Sequence, residues 1–379
     1  RILAAVFLGG GEKLGGPLEL GTLPIVAGDT QRDALERGID SFSPEVVLDI
    51  SDDPVVDPRS RFMLTSVALA RGVPYQGADF RFEPPHRPRL ATCPTIAIIG
   101  TGKRCGKTAV AGFAARTLTA RGMRVAIVAM GRGGPADARV VAGDERPLSV
   151  DELIELARRG EHAASDVYED AVFADVPCIG ARRAGAGLAG APFFDTVAAA
   201  VAAANDLAPE IMILEGSGSA IPPVAADATV LVVPGSTTPE ALTSALGPFR
   251  LLLADLVAIT MASEPTVSAH ALSLLTSSID ELARGVARVK TVFRPTPRGS
   301  VAGRSVFYAT TAPPAVGEAI RGHLEEAHGA RVVGITHNLS NRAALSSDLS
   351  AAEGTYEVLV TELKAGAVDV AAVTARAGG

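Results

Sequence analysis

Gly106-Lys107-Thr108 closes a glycine-bearing segment that reads Gly100-Thr101-Gly102-Lys103-Arg104-Cys105-Gly106-Lys107-Thr108. An apolar run, Thr95–Ile99, enters this segment, and a helical period over about 107–121 leaves it. Strand, glycine loop, Lys-Thr and helix in that order make a phosphate-binding loop, or P-loop. The chemistry is direct. Glycines let backbone N–H groups curl around phosphate oxygens, and the helix N-terminus adds partial positive charge. The Lys107 ammonium is placed to reach the β- and γ-phosphates of a nucleotide, and the Thr108 hydroxyl to serve Mg²⁺. Gly102, Lys103, Arg104, Cys105, Gly106, Lys107, Thr108 and Ala109 are therefore the expected nucleotide-binding residues. The 35 basic residues include five lysines (Lys13, Lys103, Lys107, Lys290 and Lys364), and two of them sit in this loop. Against an arginine-rich background, that placement points to a need for the ammonium itself.

A P-loop also needs an acidic residue, delivered by a neighbouring strand, to hold the metal. Ile211-Met212-Ile213-Leu214-Glu215-Gly216-Ser217-Gly218 supplies one: apolar residues carry Glu215 to a strand's carboxyl end, where open α/β sheets bind ligands. Thr108 and Glu215 are the expected metal ligands. A second strand ends in Met130-Gly131-Arg132-Gly133-Gly134, which offers Arg132 to an anionic substrate. The loop departs from the common G-x-x-x-x-G-K-T spacing, because Thr101 takes the first glycine's place and five residues follow Gly100. Gly102 occupies the slot of the signature lysine of partitioning-type ATPases, and the longer spacing is similar to that of dethiobiotin-synthetase-like enzymes.

The elements around these residues form three blocks. Residues 1–90 alternate strand (Ile2–Leu8), glycine turn, helix (about 29–37), strand (Glu45–Ile50), helix (about 60–71) and a strand near Tyr75. Glu83-Pro84-Pro85-His86-Arg87-Pro88-Arg89 then breaks regular structure. Residues 91–284 hold Thr95–Ile99, Val125–Ala129, Ile211–Leu214, Thr229–Val233 and Leu256–Thr260, continuous apolar runs that mark a parallel sheet covered on both faces. Between its second and third strands lies a long insertion, residues 144–190, with a helical stretch at 151–158 and a small-residue loop carrying Arg182 and Arg183. Residues 285–379 read as a further α/β unit with strands near Ala287–Val292, Ser305–Ala309, Arg331–Ile335 and Tyr356–Thr361. The expected fold is α/β: a P-loop NTPase core with a mostly parallel sheet, flanked by N- and C-terminal Rossmann-like units.

Composition narrows the function further. With 379 residues, 47% of them hydrophobic and 20% charged, the chain can bury a large core. A net charge of -7 argues against a sequence-independent nucleic-acid binder, and an aromatic content of 4% with no Trp against a base-stacking RNA surface. No apolar stretch approaches the ~18 residues of a membrane span. Three widely spaced cysteines (Cys93, Cys105 and Cys178) and six scattered histidines favour neither a disulfide framework nor a zinc site, and a reducing cytoplasm is the expected setting. The chain opens at Arg1 without a methionine, so residues upstream are expected. The segment Gly9-Gly10-Gly11-Glu12-Lys13 reads as a turn with a flexible loop, the alternative being a phosphate-friendly turn that completes the substrate site from another domain.

Taken in order, several segments resemble the cyclic 2,3-diphosphoglycerate synthetase family within the SIMIBI division of P-loop proteins. They are Thr95–Thr108, Met130-Gly131-Arg132-Gly133-Gly134-Pro135, Ala164-Ser165-Asp166-Val167-Tyr168-Glu169-Asp170 and Gly180-Ala181-Arg182-Arg183-Ala184-Gly185-Ala186-Gly187. Further along come Glu215-Gly216-Ser217-Gly218, Val292-Phe293-Arg294-Pro295, Thr336-His337-Asn338-Leu339-Ser340 and Thr361-Glu362-Leu363-Lys364. Members of the family are longer at both ends, which implies an opening strand and a C-terminal tail beyond this sequence. The resemblance implies an ATP- and Mg²⁺-dependent enzyme acting on 2,3-bisphosphoglycerate, a substrate with two phosphates and a carboxylate. Several cations would have to face such a ligand. Arg104, Arg132, Arg182, Arg183, Arg294, His337 and Lys364 are the expected substrate ligands, with Lys107, Lys103 and Arg132 as the catalytic set. Asp166, Glu169 and Asp170 either add a metal ligand or form an exposed acidic helix face. By analogy with SIMIBI proteins a homodimer is expected, without nucleic-acid or membrane partners. A related kinase or ligase with another acceptor is the alternative. A nucleotide-driven switch is disfavoured by Gly102 and by the absence of a Cys/His cluster.

Overall fold

The computed structural model describes residues 1–9, 19–141 and 166–362, together with Ser149, Glu152, Glu155 and Arg159. Apart from Glu152 and Glu155, the stretch 151–158 expected to be helical lies outside the described residues, as do the glycine turn 9–13 beyond Gly9 and Lys364.

The first unit comprises β1 (Ala5–Val6), β2 (Ile25–Val26), α1 (Gln31–Phe42), β3 (Val47–Leu48), α2 (Pro58–Ala70), β4 (Tyr75–Gln76) and β5 (Arg81–Phe82). Both helices start at side-chain caps. Thr30 accepts from the Asp33 N–H, and Asp57 from the Ser60 N–H with Pro58 opening the first turn. α2 also joins the core of the next unit, because Phe62, Met63, Leu69 and Ala70 pack with Phe249 and Leu251.

The central unit holds β6 (Thr95–Gly100), α3 (Lys107–Thr119), β7 (Val125–Gly131), β8 (Arg139–Val141), α4 (Asp166–Ala174), β9 (Cys178–Ala184), β10 (Phe194–Asp195), α5 (Val197–Asp206), β11 (Ile211–Glu215), β12 (Ala228–Pro234), α6 (Pro239–Thr243), α7 (Gly247–Leu252), β13 (Leu256–Thr260), α8 (Ala269–Leu282) and β14 (Ala287–Lys290). Among the described residues its strands form one nine-stranded sheet ordered β10-β9-β7-β11-β6-β12-β13-β14, with β8 added on β9. Pairing is parallel from β9 to β14 and antiparallel for β8 and β10. Every residue of β7 is buried, which is why it reads as an unbroken apolar run.

Two expectations change here. The stretch around Arg182 and Arg183 is a strand, not a loop. Small apolar Cys178, Ile179, Gly180 and Ala181 let it pair along β7, and the two arginines then alternate sides of the sheet. Ala287–Lys290, expected to open the third block, instead pairs with β13 at the edge of the central sheet. Its backbone groups find their partners there, although all four side chains are exposed.

The last unit contains β15 (Ser305–Ala309), α9 (Gly317–His328), β16 (Arg331–Thr336), α10 (Arg342–Ala351) and β17 (Val358–Thr361). Its parallel sheet runs β16-β15-β17, with cores around Leu345 and Leu349 on one face and Leu324 and Val332 on the other. No described helix is long and apolar enough to cross a membrane.

Candidate active site

β6 delivers the glycine loop to the carboxyl edge of the sheet, and α3 leaves from it. Gly106 caps α3 at a φ of 97°, in the left-handed region that favours glycine, and no side chain caps the helix. The first turn of α3 carries no acidic residue of its own, and a helix N-terminus bears partial positive charge. The loop is braced from the strands beside it: the Thr101 N–H donates to the Val232 carbonyl at 3.3 Å, and the Thr260 hydroxyl donates to the Cys105 carbonyl at 2.7 Å.

Lys107 is buried at 7% exposure, and its ammonium is fully engaged. Nζ donates to the Gly102 carbonyl at 2.9 Å and to the Gly218 carbonyl at 3.1 Å, and lies 3.5 Å from Cys105 Sγ. The Thr108 hydroxyl donates to Glu215 Oε1 at 2.8 Å, and Glu215 is 2% exposed. A hydroxyl and a buried carboxylate in contact, beside a helix N-terminus, are the hard oxygen donors a small divalent cation prefers.

Beyond Glu215 the chain turns, and three successive backbone carbonyls each accept from a different buried cation. Arg183 Nη2 donates to Ser217 O at 2.7 Å, Lys107 Nζ to Gly218 O, and Arg250 Nη2 to Ser219 O at 2.7 Å. Arg183 also reaches the Ser217 hydroxyl at 3.1 Å and the Gly185 carbonyl at 2.7 Å. Arg250 extends to the Leu188 carbonyl at 3.2 Å, and its burial lowers the pKa of its guanidinium. The segment that carries Glu215 is therefore locked to the P-loop lysine, to β9 and to α7 at once. Lys103 completes the neighbourhood: its stem lies against Gly218 and its head is exposed.

The sheet order sets what lies on each flank. Stepping from β6 across β11 reaches β7 and β9, whose ends carry Arg132 and Arg182. Register pairs Gly131 with Arg182, and Arg182 Nε donates to the Gly134 carbonyl at 2.7 Å. Gly134 must be glycine for this fold of the chain, since a Cβ there would lie 2.1 Å from the Ala181 carbonyl oxygen. Arg132 and Arg182 are exposed.

Three family descriptions match the chain end to end. Residues 1–83 match the N-terminal domain of cyclic 2,3-diphosphoglycerate synthetase, residues 95–292 its P-loop domain, and residues 297–379 its C-terminal domain. The chain belongs to the cyclic 2,3-diphosphoglycerate synthetase family. A protein of that name from Rubrobacter xylanophilus is 44% identical over 97% of this chain and 83% of its own length. Another, from Methanothermus fervidus, is 40% identical over 98% and 82%. Among solved structures, the hydrogenase maturation factor HypB from Archaeoglobus fulgidus aligns at 10% identity and a TM-score of 0.27, covering 53% of this chain and 81% of its own.

Set against this family's expected ligands, the structure separates the cations into groups. Lys103, Arg104, Lys107, Arg132 and Arg182 lie along the carboxyl edge from β6 to β9, and all but Lys107 are exposed residues. Arg183, expected to face the substrate, turns inward at 2% exposure and donates to the Gly185 and Ser217 carbonyls and the Ser217 hydroxyl. Arg294 sits past β14 on the opposite flank, where it donates to the Phe293 carbonyl. His337 follows the last residue of β16 in the last unit, held by the Ala312 carbonyl at 2.7 Å from Nδ1. Of the acidic stretch 166–170, Asp170 is fully buried. Burial raises the pKa of the neighbouring Cys178 thiol, and the charges of Asp170 and Glu215 raise it further, so both carboxylates bear on one buried spot. Sequence reasoning passed over Arg250. The signal was a lone arginine inside the apolar run Phe249-Arg250-Leu251-Leu252-Leu253. Phe293, which lies in the segment Val292-Phe293-Arg294-Pro295 three residues past β14, was given no role of its own.

Proposed function

We propose that this chain is an ATP-dependent synthetase that closes the intramolecular phosphoanhydride of cyclic 2,3-diphosphoglycerate from 2,3-bisphosphoglycerate, releasing ADP and phosphate. The observation that carries it is the contact of Thr108 with buried Glu215 beside Lys107, continued along the sheet edge by Arg132 and Arg182. Relatives that share 38–44% identity with this chain bear that enzyme's name.

One substrate phosphate oxygen attacks the γ-phosphorus of ATP, and the β,γ bridging bond breaks to release ADP. An oxygen of the neighbouring phosphate then attacks the inner phosphorus of the resulting pyrophosphoryl group. The ring closes and inorganic phosphate leaves. Joining two dianionic phosphates is uphill, which is why a nucleoside triphosphate is consumed. No general base is needed, because phosphate oxyanions are already nucleophiles. Catalysis is then positioning and charge neutralisation.

In this scheme Lys107 exchanges the Gly102 and Gly218 carbonyls for phosphate oxygens. The backbone N–H groups of 102–109 cradle the β-phosphate. Thr108 and Glu215 would hold Mg²⁺, which when bound would offset negative charge on the transferring phosphates. Lys103, Arg104, Arg132 and Arg182 hold the two substrate phosphates on the Glu215 flank. Arg183 and Arg250 keep the Glu215–Ser219 turn in place. His337 and Lys364 meet the substrate only if the last unit folds over this edge. The expected assembly is a homodimer, and a reducing cytoplasm suits the three free cysteines.

Incubating the protein with MgATP and 2,3-bisphosphoglycerate and following products by ³¹P NMR tests the reading. A cyclic anhydride resonance that needs both substrates is expected. ATP consumption with 2-phosphoglycerate and no ring product would move the assignment to a kinase.

A further inference from the structure

The two flanks of the P-loop differ in kind. Thr108 and Glu215 mark the β11 side of β6 as the metal and γ-phosphate end of a bound nucleotide. The nucleoside end must then run the other way, over the carboxyl ends of β12, β13 and β14. Phe293 stands there, three residues past β14. β14 is three strands from β6, about 14 Å at the usual strand spacing. Its ring nevertheless reaches the loop: a Cβ placed on Gly106 would lie 2.2 Å from the Phe293 Cζ. The chain after β14 thus carries an aromatic ring back across the sheet edge onto the helix cap that binds phosphate.

The ring is also not packed away. Phe293 is 40% exposed and belongs to none of the described hydrophobic clusters. An open aromatic ring, beside a loop braced by Thr260 and Val232, fits a flat heteroaromatic partner.

We propose that Phe293 forms the nucleoside subsite, stacking on the base of the nucleotide whose phosphates fill the P-loop. This rests on the reading of that loop as a nucleotide site. Every base has a π-face, so the ring supplies affinity without selecting among bases by hydrogen bonds. Gly106 fits the same picture, because any side chain there would displace the ring.

The test compares MgATP with magnesium tripolyphosphate, which has the phosphates and no nucleoside, by calorimetric titration. Phe293→Ala is expected to weaken MgATP about tenfold or more and to leave tripolyphosphate within about twofold. Phe293→Leu, which keeps apolar packing on Gly106, is expected to lose MgATP affinity as well. Phe293→Trp installs the sole tryptophan of a chain that has none. Its emission should change with MgATP and not with tripolyphosphate. MgATP affinity unchanged in Phe293→Ala, or both ligands weakened together, overturns the proposal. Wild-type protein that binds neither ligand would instead overturn the reading of the loop itself.

Discussion

Replacing Arg183 by Met separates a clamp from a substrate ligand, because the two roles predict different losses. The variant keeps the length of the stem and removes the guanidinium. Ser217, 8% exposed, loses a charged donor at its carbonyl and another at its hydroxyl. The carbonyl keeps the Ala220 N–H at 3.0 Å, so it is not stranded. Gly185 is exposed, and its carbonyl regains water. A hydrogen bond to a charged group contributes about 1.5–3 kcal/mol and a neutral one about 1 kcal/mol. The two charge-assisted bonds to Ser217 are lost while the Gly185 carbonyl turns to water, so the net loss is about 3 kcal/mol at the lower end of that range. In a unit of this size that lowers Tm by about 6–12 °C. The released Ser217–Gly218 turn also carries the carbonyl that holds Lys107, so kcat should fall while KM for the bisphosphate stays within about threefold. Circular-dichroism melting and a coupled ADP-release assay read both effects. An unchanged Tm with a hundredfold rise in KM would show that the side chain faces the substrate, and the clamp argument would be wrong.

Three more outcomes follow from the same geometry. Lys107→Ala should lower kcat by at least about 10²–10³ without unfolding the protein, since it removes the charge aimed at the transferring phosphoryl group; turnover near the wild-type rate would take the P-loop out of the mechanism. Asp227 is held at a pKa of about 2 by the Arg89 guanidinium and by the Thr95 backbone N–H and hydroxyl, below its ordinary 3.8. Its stabilising contribution is therefore complete above about pH 4 and is lost as pH falls towards 2, so Asp227→Asn should flatten the pH dependence of Tm in that window, and parallel curves would contradict this. A thiol reagent applied to folded protein should label Cys93 alone, because Cys105 and Cys178 are 1% and 0% exposed, and intact-mass analysis showing rapid double or triple labelling would exclude the burial described.

Much of the site was readable from local pattern. A P-loop is a contiguous device: β6, the turn and α3 are one stretch of chain, so Gly106, Lys107 and Thr108 announce their geometry by spacing alone. Glu215 was legible for a similar reason, because an apolar strand must carry its last residue to the sheet's carboxyl edge. The α/β class came from unbroken apolar runs such as Val125–Ala129, which only a sheet covered on both faces can bury.

What the tertiary structure decided is which way side chains turn and which strands become neighbours. Arg182 and Arg183 are adjacent and identical in type. One is exposed and the other buried only because the stretch pairs with β7 and alternates across the pleat. Arg250 and Phe293 lie 31 and 187 residues from the groups they touch, Ser219 and Gly106, and no local pattern encodes such contacts. Strand order, set by long-range backbone pairing, puts Arg132 and Arg182 on one side of the loop and Phe293 on the other. Chemistry of single residues is written in the chain, whereas their juxtaposition depends on burial and pairing between distant segments, which exist only once the sheet has closed.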